Sequence, residues 1–112
     1  MRVLRIDELI ELYEYAYEKL MLGLAGGVDV NTLALLSVDL FYTLWRATRQ
    51  FIDGLNDETL KAEFEKFVLE HVDKVKRGEL DVLGHFVVMI ERLKELKACG
   101  IDTDRFMGWS PN

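Results

Sequence analysis

Cysteine, proline and glutamine are nearly missing from this sequence, and each shortage removes a class of structure. A single cysteine, Cys99, cannot form an internal disulfide, so the chain fits a reducing compartment and a cytoplasmic location is expected. One proline in 112 residues, half of them hydrophobic, leaves no Pro-rich linker and excludes a disordered chain. Long apolar runs are missing too. Asp29 and Asn31 interrupt one candidate and Asp39 another, well short of the ~20 residues that span a bilayer. The opening MRVLRIDELIEL does not read as a signal peptide, because Asp7, Glu8 and Glu11 fall inside the stretch that would have to be apolar. Gln50 is the one glutamine, beside abundant Glu, Lys and Arg, a composition that leans towards a thermophile.

Positive charge is also in deficit. Fourteen basic residues against twenty acidic ones give a net charge of -6, which repels a nucleic-acid backbone unless the cations gather on one face. Motifs that carry chemistry are missing in turn. Gly23, Gly26 and Gly27 are followed by no Lys-Ser/Thr, so no phosphate loop is present. A di-iron bundle site needs Glu three residues before His on two helices; here Val68 precedes His71 and Val82 precedes His85. Both histidines read as partly buried imidazoles with a backbone or carboxylate partner, and a site shared between chains is the remaining alternative. Asp102 and Asp104 lack the glycine and distal glutamate of a calcium loop. Cys99, with no His or Cys at metal spacing, reads as a small buried hydrophobe. No catalytic residue, cofactor or metal site is expected, and the chain does not read as an enzyme.

What the sequence has in quantity is helical periodicity. The first helix is expected over about 7–25, with Leu9, Tyr13, Ala16, Tyr17, Leu20 and Leu24 as its core stripe and Glu11, Glu14 and Glu18 as an acidic one. The second runs from a cap at Asp29 or Asn31 to about Asp53. A third covers about 57–76 and carries Leu60, Phe64, Phe67, Val68, His71 and Val75. The fourth, from near Glu79 or Asp81 to Cys99, has a broad apolar face that includes Phe86, Met89, Ile90, Leu93 and Leu96. Glycines at 26, 27, 54, 78 and 100 supply the stops. Four helices of similar length joined by short connections give an all-α, antiparallel, up-down-up-down four-helix bundle over 1–100. The tail, 101–112, is expected to dock on the bundle or on a neighbouring subunit, because Phe106, Met107 and Trp109 are too apolar to leave in water.

The second helix is the centre of this arrangement. Its apolar residues form two stripes, Leu33-Leu36-Leu40-Leu44-Phe51-Leu55 and Ala34-Val38-Phe41-Trp45-Ile52, so it needs neighbours on two sides. Its polar residues form one strip, Asp39, Thr43, Arg46, Arg49, Gln50 and Asp53. Arg46 and Arg49 are expected to pair with the acidic stripe of the first helix or with Asp39 and Asp53. Beside Tyr42 and Trp45 they offer an alternative, contact with RNA or DNA inside a larger complex, which the flanking aspartates oppose. The function expected is that of a non-enzymatic protein-protein interaction or assembly module. A homo-oligomer is expected, most simply a dimer, with room for an unidentified protein partner, and Trp45, Arg46, Arg49, Phe106 and Trp109 are the candidate contacts.

Overall fold

The computed structural model describes residues 4–101. Four helices follow one another: α1 (Ile6–Ala25), α2 (Val30–Asp53), α3 (Glu58–Lys76) and α4 (Val82–Ala98). Each packs against its chain neighbours, and α1 closes the ring against α4, giving the antiparallel four-helix bundle that the short connections demand. No strand is present among the described residues. The body measures 50 × 27 × 26 Å, and none of its described helices is long and apolar enough to cross a membrane.

Local sequence sets the helix ends. Asp29, Asp57 and Asp81 are N-caps whose carboxylates accept the N–H groups of Thr32, Leu60 and Gly84 at 3.0, 3.1 and 2.6 Å, satisfying donors that the first turn leaves free. α1 starts ahead of Asp7: Arg5 is the cap position, and the Glu8 carboxylate reaches back to its N–H at 3.0 Å. Gly27, Gly78 and Gly100 end α1, α3 and α4 with φ of 75°, 76° and 85°, a left-handed conformation that a side chain resists.

The core runs the length of the bundle through Leu9, Tyr13 and Leu20 of α1, Phe41, Leu44, Phe51 and Ile52 of α2, Phe64, Val68 and Val72 of α3, and Phe86, Met89 and Leu93 of α4. Edge-to-face rings lock neighbours together, Phe51 on Phe64 at 5.7 Å and Tyr13 on Phe86 at 5.8 Å. Of the two apolar stripes on α2, the leucine stripe packs inward. The other divides: Phe41 and Ile52 are buried and Trp45 half-buried, while Ala34 and Val38 face outwards.

Two expected core residues lie elsewhere. Leu24 is exposed, because it sits in the last turn of α1 where the bundle opens into an end cavity. Cys99 is exposed as well; it is the residue after α4, past the last turn that packs on α1. The expected docking of the tail, with Phe106 and Trp109, lies outside the described residues.

Candidate functional site

The strip along α2 was the sequence's strongest candidate, and the structure divides its cations. Arg49 leaves the strip for α3, where its Nη1 meets Glu65 Oε2 at 2.8 Å, and its guanidinium lies 5.6 Å from the Trp45 ring. Trp45 packs against the core from the half-buried side, so Trp45 and Arg49 together seal the α2/α3 seam. Arg46 has no such tie. Its one hydrogen bond among the described residues is a long one, 3.4 Å, to Thr43 Oγ1.

The expected pairing of both arginines with the glutamates of α1 is therefore corrected. Of the expected acidic stripe of α1, Glu14 turns to α4 and meets Lys94 at 3.2 Å, joined there by Asp7, which meets Lys97 at 2.6 Å, while Glu11 and Glu18 are exposed. A bundle helix has one neighbour on each flank, and the flank of α1 that carries Asp7 and Glu14 belongs to α4.

Outside the paired groups, α2 turns apolar side chains to solvent. Leu35, Val38 and Tyr42 are 73%, 54% and 42% exposed; spaced by three and four residues, they share one face. Asp39 and Arg46 border that face and are exposed, and neither has an ion-pair partner among the described residues. α1 adds Leu12, Tyr15 and Leu22 as a second exposed series at spacings of three and seven.

The histidines behave differently from one another. His71 Nδ1 lies 2.8 Å from the Phe67 carbonyl oxygen, the backbone partner expected of it. His85 is 3% exposed and lies among rings, edge-on to Tyr13 and Phe41 with centroids at 6.3 and 5.2 Å, and its Nδ1 has no partner. The partner expected for it is not found at Nδ1, where the rings of Tyr13, Phe41 and Phe86 surround the imidazole. Burial first, and the nearby His71 second, push its pKa down to about 4, which leaves the ring neutral. Among the described residues no group of three or more His, Cys, Asp or Glu side chains gathers to hold a metal.

Two further features escaped the sequence reading. Thr48 is fully buried on the core side of α2. Its hydroxyl donates to the Leu44 carbonyl at 2.7 Å, so the Tyr13 hydroxyl, 2.7 Å away, must donate to Thr48 Oγ1. Burial holds the Tyr13 phenol well above its ordinary pKa. The place of Thr48 between Leu44 and Phe51, four and three residues away, was the available signal. The second feature is a cavity of ≈ 460 Å³ at the end of the bundle, walled by Leu20, Leu24, Leu33, Val75, Val82 and Leu83. Its two polar side chains are already engaged, Ser37 with the Leu33 carbonyl and Asp81 as the cap of α4. It offers volume without chemistry.

Comparison with known proteins finds no family model, no curated protein and no solved structure that matches the chain.

Proposed function

We propose that this chain is a non-enzymatic helical interaction module that assembles with itself, most simply as a dimer, in a reducing setting such as the cytoplasm. The observation that carries the reading is the outer face of α2, where Leu35, Val38 and Tyr42 lie exposed beside a border formed by Asp39 and Arg46, neither of which has an ion-pair partner among the described residues. Three arrangements separate the functional classes: histidines converging with carboxylates favour catalysis, a cationic face favours nucleic acid, and a contiguous apolar face favours assembly. His85 is enclosed by rings. Arg49 is neutralised by Glu65, and Arg46 stands near Asp39 on a chain of net charge -6. The exposed Leu35, Val38 and Tyr42 support the assembly reading. Its burial is favourable at about 25 cal/mol per Å², set against association costs of several to more than ten kcal/mol.

Light scattering of the full chain across micromolar concentrations tests this directly. The expected mass is twice the 13.0 kDa of one chain; a mass of one chain that does not change on concentration overturns the reading.

A further inference from the structure

We infer that the occupant of the α2 face is the same face of a second copy, lying antiparallel, with Asp39 of each copy against Arg46 of the other. The inference rests on the self-assembly reading above and specifies its contact. Asp39 and Arg46 are seven residues apart on one border of the apolar face, two turns or about 10.5 Å along the axis. They are too far apart to pair within one helix, and among the described residues neither pairs with anything else. A twofold axis perpendicular to α2 and passing between Tyr42 and Thr43 reverses the helix and keeps that border on the same side. Asp39 of one copy then faces Arg46 of the other, and by symmetry the pair occurs twice.

The same register brings the apolar side chains to the middle. The two Tyr42 side chains meet beside the axis and Val38 falls opposite Ala47. The remaining charges of α2 meet no like charge, since Arg49 falls opposite Leu36 and Asp53 opposite Thr32. Other arrangements fail on the same residues. A parallel pair has its twofold axis along the helices, which carries this border to the opposite side of the contact, so Asp39 and Arg46 of the two copies never face each other. An antiparallel pair that matches Arg46 with Asp53 instead shifts the axis towards the C-terminal end of α2 and leaves Leu35 and Val38 uncovered. A nucleic acid in this place would meet Asp39 and three apolar side chains around Arg46, which has no ion-pair partner among the described residues. Charges at the border of an apolar contact select partner and direction more than they add affinity, and the spacing on α2 selects its own reverse.

Charge exchange tests the register with the full chain. Asp39→Arg gives a copy with two cations on the border and Arg46→Asp one with two anions. Both side chains are exposed, and circular dichroism checks that the bundle is kept. Each single variant should dissociate at least roughly tenfold more readily than the original, measured by sedimentation. An equimolar mixture of the two should pair as heterodimers, seen by native mass spectrometry, and the double variant Asp39→Arg/Arg46→Asp should recover self-association. If the single variants dimerise as well as the original chain, or the mixture pairs no better than either alone, this contact is wrong while the assembly reading stands. If the original chain is monomeric, the face belongs to a different protein and both fall.

Discussion

His85 and the Tyr13–Thr48 pair show two ways of placing polar atoms in an apolar core. A ring with an unpartnered Nδ1 tolerates burial by staying neutral, and that has a sign in pH. The pKa of His85 is about 4 in the folded chain against an ordinary 6.5, so between these values the unfolded chain takes up a proton that the folded chain refuses. Stability contributed by the neutral ring is complete above about 6.5 and is lost as pH falls towards 4, by about 3 kcal/mol in all. Thermal unfolding followed from pH 7 to 4 should therefore show a steeper decline for the original chain than for His85→Leu. Parallel slopes would contradict this. Acid loss from the capping and paired carboxylates of Asp29, Asp7 and Glu79 is common to both chains and cancels. Thr48 solves the problem by hydrogen bonding in series. Thr48→Val leaves the buried Tyr13 hydroxyl without an acceptor, whereas Tyr13→Phe leaves Thr48 still donating to Leu44. The first should cost about 1–3 kcal/mol and the second about 1, with the double variant less costly than their sum in denaturant titrations. Burial of Tyr13 was read from spacing, while that of Thr48 was missed although its place between Leu44 and Phe51 signals it. Which polar atoms meet was not legible, because Tyr13 and Thr48 lie thirty-five residues apart, and a helical wheel carries no information about what faces it.

At the scale of the element, α2 makes the same point about flanks. Its two apolar stripes and its polar strip could be read from spacing; the caps were narrowed only to Asp29 or Asn31 for α2 and to Glu79 or Asp81 for α4, and the structure selects Asp29 and Asp81, with Asp57 capping α3. The neighbour on each flank could not. Arg49 turned to Glu65 of α3, and Glu14 of α1 turned to Lys94 of α4, because the order of helices around the ring decides which stripe sees which. The two arginines should consequently separate in their effects. Arg49→Ala removes a half-exposed ion pair and the cation over Trp45, so a loss of stability below about 1 kcal/mol is expected at any protein concentration. Arg46→Ala removes nothing that holds the single chain together and should leave the unfolding of dilute protein unchanged. Equal losses in dilute protein would mean that Arg46 braces the bundle in a way its contacts do not show.

For the molecule as a whole, the arithmetic of four similar helices and short connections was enough to give the bundle, since antiparallel neighbours are the one way to join them. The surface left over was less legible, because exposure depends on how far each helix turns its face inwards: Leu24 and Val38 sit at core-like spacings and face water. What that surface does sets the concentration dependence of unfolding. If two copies share the α2 face, unfolding releases two chains, and dilution favours the unfolded side by mass action. A tenfold rise in concentration shifts the balance by about 1.4 kcal/mol per pair, and for a pair of chains this size that moves the midpoint by a few degrees. A chain that acts alone unfolds at one temperature whatever its concentration. Melting curves over a hundredfold range should therefore fan out for the original chain and for the Asp39→Arg/Arg46→Asp double variant, and for either single variant the fan should narrow, with the curves merging at the dilute end of the range. A fan that survives undiminished in both single variants would place the shared surface elsewhere on the bundle, with the exposed Leu12, Tyr15 and Leu22 of α1 as the next face to alter.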